Sequence, residues 1–277
     1  MKTSLLKASL FALAICSFGS VIAQEHVTRI FAHRGGRFEQ DENTMAAFQA
    51  TYAAGIRGFE TDIRMTKDGQ LVISHDGTLT RMTTSNGIIE EMTADELRKV
   101  VTKKGNKLMF LDELLDFLKD KKGLYVEFEM KTTDTKYYPD EKIAEYCEKV
   151  YKAITAKRPA DADFSMTSFD YRPLRYTKEH HPDMNLLYIS SSPLNEKTIE
   201  VCKALGVKRL GVNLGGTSRE FVEKAHDEGL TVSLWPGNKV EDTMLGIILG
   251  ADLLCTDIPQ EVKKALEERL PKEKVVF

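Results

Sequence analysis

The chain has 277 residues, 39 Lys and Arg against 42 Asp and Glu, and a formal charge of −3, with 42% hydrophobic residues. A mildly acidic surface without a basic cluster argues against nucleic acid as the main partner, and the length and apolar content suit one large core. Beyond the first residues no apolar run approaches the roughly 20 residues of a membrane helix, so no stable membrane insertion is expected.

Residues 1–23 stand apart. Lys2 and Lys7 precede an apolar run from Leu10 to Ile15, and Val21, Ile22 and Ala23 end it before Gln24. This is the pattern of a secretory signal peptide, too short to span a bilayer. It predicts an exported protein, periplasmic or secreted, whose residues 24–277 form a single domain. Leu13-Ala14-Ile15-Cys16 weakly resembles a lipoprotein cleavage box, but Ile15 fits poorly before the cysteine, so anchoring at Cys16 is the less favoured reading. Cys147, Cys202 and Cys255 are widely spaced, in segments with helical or buried-strand patterns, and are expected to be packing residues rather than a disulfide framework or zinc site.

From there extended and helical patterns alternate. Strands are predicted near 28–33, 58–63, 124–130, 163–168, 184–189, 208–213, 230–235 and 251–255. Helices are predicted near 44–54, 112–119, 140–157, 170–181, 195–205, 217–228, 239–249 and 259–269. Thr44, Asp112, Asn195 and Thr217 stand where N-caps would fall, and Gly206, Gly229 and Gly250 where helices would stop. Eight strands alternating with eight helices indicate a (β/α)₈ TIM barrel. The rival is a doubly wound open sheet, which would not need eight units and lacks here a glycine-rich dinucleotide loop after its first strand. One segment breaks the alternation: about 64–110 contains a Lys67-Asp68-Gly69 turn, a short strand over 70–76, a Thr/Ser-rich loop and a small helix near 93–100. It is expected to be an insertion after the second strand, on the barrel face where active sites are built.

Side chains alternate along a strand, so Glu60 and Asp62 share one face of the second strand. In "LYVEFEMK" Glu127, Glu129 and Lys131 likewise share a face, while Leu124, Val126, Phe128 and Met130 share the other. The apolar sets should pack on the helices, which puts four carboxylates and one lysine inside the barrel. Unpaired ions there cost several kcal/mol, so a further cation is needed. Oxygen donors suit Mg²⁺ or Ca²⁺ better than zinc; an internal salt-bridge network with Lys131 and an arginine is the alternative. His33 and His75 end the first strand and the inserted strand, near these carboxylates, and would serve as an acid and base pair. His26, His180, His181 and His226 are expected to be surface residues. Arg34 and Lys131 are the nearest cations and suit a phosphate group, and Gly35-Gly36 allows close backbone approach.

These motifs together resemble the glycerophosphodiester phosphodiesterase family: His33-Arg34-Gly35, Glu42-Asn43-Thr44, Glu60-x-Asp62, Thr66-Lys67-Asp68-Gly69, His75-Asp76 and Arg81-x-Thr83, then Glu129-x-Lys131, Ser168-Phe169, Trp235 and Thr256-Asp257. The resemblance covers essentially all of the chain after the leader. It implies a TIM barrel with a small insertion after the second strand. The activity implied is hydrolysis of glycerophosphodiesters to sn-glycerol 3-phosphate and an alcohol, helped by a divalent cation. It implies Glu60, Asp62 and Glu129 as metal ligands, His33 and His75 as the catalytic acid and base, Arg34 and Lys131 on the phosphate, and Trp235 on the glycerol side. Two positions depart from the family pattern: Asp41 stands where proline is usual, and Glu127 where asparagine or another neutral residue is common, which opens the option of a fourth oxygen around the metal. The other readings are a phospholipid- or lysophospholipid-directed enzyme of the same barrel type and a non-catalytic exported phosphodiester-binding protein. The intact set of paired imidazoles argues against the last.

Overall fold

The computed structural model describes residues 26–270 and 274–277, so the leader read in residues 1–23, with Cys16, lies outside the described residues. Among the described residues, eight parallel strands form one ring: β1 (Thr28–Ala32), β2 (Gly58–Met65), β4 (Tyr125–Met130), β5 (Asp163–Ser168), β6 (Asn185–Pro193), β7 (Arg209–Asn213), β8 (Thr231–Gly237) and β9 (Leu253–Thr256). β1 closes it, pairing with β9 over Arg29–Ala32 and with β2 at Ala32 and Phe59. Closure rules out the open doubly wound sheet.

Helices α1 (Met45–Ala53), α3 (Leu111–Leu118), α4 (Asp140–Lys157), α5 (Tyr171–His180), α6 (Glu196–Ala204), α7 (Arg219–Asp227), α8 (Val240–Leu249) and α9 (Pro259–Arg269) fall between or after these strands. Their start signals are partly as expected. Thr44 and Asn195 cap α1 and α6, accepting from Ala47 N and Thr198 N. Asp112 is not a cap: α3 starts one residue earlier, and the Glu113 carboxylate accepts the Phe110 N–H at 2.8 Å. Ser218, not Thr217, caps α7, because the Thr217 hydroxyl donates to Asn213 O and accepts from Leu194 N, which ties two loops instead.

The alternation along the strands holds as predicted. Phe59, Ile63, Val126, Phe128, Phe164, Met166, Val212 and Val232 join the layer between barrel and helices. The opposite face of the ring fills the lumen, where Phe31, Tyr125, Leu253 and Cys255 form a separate apolar cluster with Trp235 against it. The carboxylates of β2 and β4 therefore lie over a plugged lumen, not a water-filled channel.

The insertion has its own small core of Val72, Leu79, Ile89, Ala94, Leu97 and Phe110. Its strand, β3 (Leu71–Ile73), is shorter than predicted and runs antiparallel to β2, and its helix, α2 (Ala94–Leu97), begins at a Thr93–Glu96 capping box. A final two-residue strand, β10 (Val275–Val276), pairs with β1 outside the ring. Cys147, Cys202 and Cys255 are buried and unbridged, as expected of packing residues, although Cys255 also lines the lumen cavity. His26, His180, His181 and His226 lie at the surface as expected, although two of them are partly covered. His181 stacks on Tyr151 and bonds Glu148 at 2.6 Å, and His226 holds Asp252 at 2.9 Å. His26 is exposed but tied to Ala251 O, and His180 is exposed, bonded to Tyr176 O and stacked on the Tyr176 ring.

Candidate active site

A cavity of about 150 Å³ opens at the ends of the barrel strands. One wall carries His33, Arg34, Glu60, His75 and Glu129, and the other carries Phe169, Leu187, Ile189 and Trp235.

The charged wall follows from the strand register. Glu60 and Asp62 on β2 stand opposite Glu127 and Glu129 on β4, so all four carboxylates turn inward. Glu60, Asp62 and Glu129 offer ligand oxygens that lie within 4.8 Å of one another. Glu127 is not part of that cluster: it stands two residues nearer the lumen plug, and one of its oxygens accepts the Tyr125 hydroxyl at 2.6 Å. Burial pushes the Glu127 carboxyl up to about 7. A fourth oxygen in the triad is therefore not what this side chain provides.

The triad is only partly neutralised. Lys131 pairs with Glu129 at 2.8 Å and lies 3.4 Å from Asp62, while the Arg34 side chain lies 3.5 Å from Asp62. Burial raises the pKa of Asp62, but Lys131 and Arg34 outweigh it and hold that carboxyl well below its ordinary range. Glu60 goes the other way, pushed well up by burial and by the charges of Asp62 and Glu129. Glu60 Oε1 and Asp62 Oδ1 are buried without a hydrogen-bond partner. Three converging carboxylates that keep two oxygens without a hydrogen bond, Glu60 Oε1 and Asp62 Oδ1, fit a hard divalent cation, and they do not fit a satisfied salt-bridge network.

Both histidines are oriented by carboxylates. His33 follows β1 directly, and its Nδ1 lies 2.5 Å from Asp257 Oδ1, while Nε2 is 3.8 Å from Glu60. Asp257 is fully buried at the end of β9 and is also held by Arg37 at 2.7 Å. Burial works against its charge, but His33 and Arg37 outweigh that and keep its carboxyl below the ordinary range. His75, two residues past β3, has the same arrangement with Asp76 at 2.6 Å. Desolvation lowers the pKa of both imidazoles.

Arg34 has φ 52°, an uncommon conformation for a side-chain-bearing residue. It turns the Arg34 N–H onto Glu60 Oε2 at 3.0 Å while the guanidinium meets Glu42 at 3.1 Å. Gly35 and Gly36 continue the left-handed turn, and a Cβ on either would press within 3.0 Å of Ala47 or Pro259. Sequence reasoning missed several supports. Asn43 donates to Asp62 at 2.8 Å, and Arg81 bridges Asp76 and Glu42 at 2.5 and 2.6 Å. Arg64 grips the His75 carbonyl with two N–H groups. Their visible signal was position, at strand ends and inside the quoted motifs. Asp41, at the atypical position, accepts from Thr102 at 2.5 Å and Asn106 at 2.8 Å, pinning the insertion to the loop after β1.

Comparison with known proteins agrees with this geometry. Residues 33–261 match the profile of the "Glycerophosphoryl diester phosphodiesterase family". A glycerophosphodiester phosphodiesterase of Bacillus altitudinis is 26% identical, covering 87% of this chain and 99% of that protein. A Silicibacter pomeroyi crystal structure assigned to the glycerophosphoryl diester phosphodiesterases superposes with a TM-score of 0.80 at 27% identity, covering 88% of this chain and 94% of that one. An Oleispira antarctica phosphodiesterase, solved with its product sn-glycerol-3-phosphate, shares the fold at a TM-score of 0.78 and 22% identity, over 87% and 97% of the two chains.

Proposed function

This chain belongs to the glycerophosphoryl diester phosphodiesterase family, and from that premise we propose that it hydrolyses glycerophosphodiesters to sn-glycerol 3-phosphate and an alcohol, using Mg²⁺ or Ca²⁺ held by Glu60, Asp62 and Glu129. The observation that carries this reading is that two Asp-held imidazoles line one cavity with Glu60 and Glu129, whose oxygens converge with those of Asp62 and include the orphaned Glu60 Oε1. When bound, the cation would offset charge on the phosphate and favour the attacking oxygen.

The residues of the chain supply the rest. Lys131 and Arg34 hold the phosphate and offset the negative charge that grows there. With Nδ1–H given to Asp257, a neutral His33 ring has Nε2 free to accept a proton, and Asp76 orients His75 likewise; whichever ring serves as the acid enters the step already protonated on Nε2. One imidazole takes the proton of the attacking water or glycerol hydroxyl, and the other gives one to the departing alcohol oxygen. The reading places this chemistry outside the cytoplasm, in keeping with the leader-like pattern of residues 1–23. A non-catalytic binder is set aside because the matched family is one of enzymes. The apolar wall of Phe169, Leu187, Ile189 and Trp235 favours a second reading, in which a lysophospholipid is the substrate.

Metal-stripped protein should be given Mg²⁺ or Ca²⁺ separately and assayed on glycerophosphocholine, glycerophosphoethanolamine and micellar lysophosphatidylcholine. Glycerol 3-phosphate should appear only with a cation and from the water-soluble diesters. Release without any cation would remove the metal role, and a preference for the micelles would move the function to the second reading.

A further inference from the structure

His75 is held at two ends. Its imidazole meets Asp76 at 2.6 Å, and its carbonyl oxygen accepts from Arg64 Nε at 3.2 Å and Nη2 at 2.8 Å. Arg64 stands two residues beyond Asp62 on β2, in the same alternation as Glu60 and Asp62, so a cation there would be expected to join Arg34 and Lys131 on the phosphate. Its donors are committed to the protein instead. One side of the guanidinium grips the His75 carbonyl, and Nη1 on the other side donates to Glu90 at 2.7 Å.

Glu90 belongs to the 3₁₀ turn Ile89–Glu91 of the insertion, and its side chain is 5% exposed. The oxygen that meets Arg64 also accepts the Tyr138 hydroxyl at 3.1 Å, and that hydroxyl accepts the Met65 N–H at 2.9 Å. The other oxygen, Glu90 Oε2, is buried without a hydrogen-bond partner. A buried ion pair with an oxygen left over is weak evidence for stability, so the reason for the pair lies in what its far end holds. The backbone after His75 closes onto it. The Ile89 N–H donates to Gly77 O at 2.9 Å, and a Cβ on Gly77 would lie 3.2 Å from Arg64 Nη1 and 3.4 Å from Glu90 Oε2, so only glycine allows that approach without a shift.

We propose that Glu90 and Arg64 are positioning residues for His75: Glu90, carried by the insertion, aims the Arg64 fork, and the fork fixes the backbone from which the imidazole reaches the cavity. Asp76 sets the rotation of the ring and Arg64 sets where the ring starts. The insertion thereby completes the catalytic constellation and does not merely cover it. A group placed about 1 Å wrong can lose on the order of 100-fold in rate, which is the scale on which such a clamp acts.

The proposal rests on the catalytic reading of His75 above and adds the residues that aim it. A double-mutant cycle separates aiming from folding. Arg64→Ala should lower kcat on glycerophosphocholine by roughly 10- to 100-fold, with KM within about threefold. In a His75→Ala protein the same change should cost less than about twofold more, since residues that act as a unit do not add. Glu90→Ala should follow Arg64→Ala at smaller size, and Glu90→Gln, which keeps an oxygen for Arg64 and Tyr138, should recover most of the loss. Because Arg64→Ala leaves Glu90 buried and unpaired, Arg64→Lys is the second variant: it keeps the charge and loses the fork. In metal-free Arg64→Lys the His75 imidazole Cε1–H signal in NMR spectra, assigned by its loss in His75→Ala, should shift while that of His33 stays. Fully additive losses of kcat in the cycle overturn the proposal, and so does an unmoved His75 signal with normal kcat in Arg64→Lys. A wild type inert toward every glycerophosphodiester overturns the catalytic reading instead, and the His75 signal then still decides whether the clamp holds the ring.

Discussion

At the scale of single residues, the site depends on what holds each imidazole. Asp257 is fully buried and touches His33 through Nδ1 at 2.5 Å, which fixes both the ring orientation and the nitrogen that faces the cavity. Asp257→Asn keeps the size but can turn the ring or reverse its tautomer. Its kcat should fall by about 10²–10⁴, the range for loss of a positioned acid or base, with KM changed much less. A KM increase with normal kcat would show that Asp257 serves binding instead. Asp76 is the equivalent support for His75, but its side chain is 26% exposed, so water can replace part of the interaction and Asp76→Asn should cost less. The two histidines and the triad were legible in the sequence because they sit in short motifs whose alternation gives their direction. Asp257 was noticed only as a strand-end residue. Its partner lies 224 residues away, and no local pattern states which two strand ends a closed ring will bring together.

At the scale of elements, the insertion does not float over the barrel. Arg81 bridges Glu42 of the loop after β1 to Asp76 of the insertion, Asp41 holds Thr102 and Asn106, and Arg64 of β2 carries the His75 carbonyl. Burial works against the charge on Glu42, but the bonds and charges of Arg81 and Arg34 outweigh it, so its pKa lies below the ordinary 4.5. A depressed carboxyl contributes stability that is present above the unfolded value and lost as pH falls through the folded one. Docking of the insertion should therefore hold at neutral pH and loosen only below about pH 4. Glu42→Gln should show the loosened state already at pH 7, read as faster amide exchange over residues 76–83. Arg81 is 44% exposed, so its contribution is screened, and Arg81→Ala should loosen the same residues without a large change in global stability. Unchanged exchange in both variants would mean that the apolar core of the insertion docks it unaided. The presence of the insertion was readable from the break in alternation, and its length from the return of helical periodicity at α3. Its attachments were not, because each is made by a single polar side chain with no repeat to announce it. The cap of α3 was misplaced for a related reason: Asp112 has the preferred chemistry, but Leu111 must already be helical to reach the core, so the start moves back one residue.

At the scale of the whole molecule, the order of elements specified the barrel, since eight alternations leave few other arrangements and the apolar faces fix which side of each strand meets the helices. The tie between β10 and β1 was not foreseen, because two residues carry no period. The same alternation forces charge into the centre. Glu60, Asp62 and Glu129 are all buried, and the nearest cations are Lys131 and Arg34. Such an arrangement serves metal binding at a cost in stability. Glu60 bears most of the conflict, since burial and its two neighbours all disfavour its charge. Replacing it by glutamine should raise the melting temperature of metal-free protein by about 2–4 °C, on the order of 1 kcal/mol for a chain of this size. Adding Mg²⁺ or Ca²⁺ at about 100 times Kd should stabilise the wild type by about 2.7 kcal/mol, because the ion binds the folded state alone. Glu60→Gln should lose most of that gain, so the order of stability of the two proteins reverses when the cation is added. A variant that melts lower than wild type without metal, and still gains stability with it, would show that Glu60 is held by its neighbours within the barrel and is not a ligand awaiting an ion.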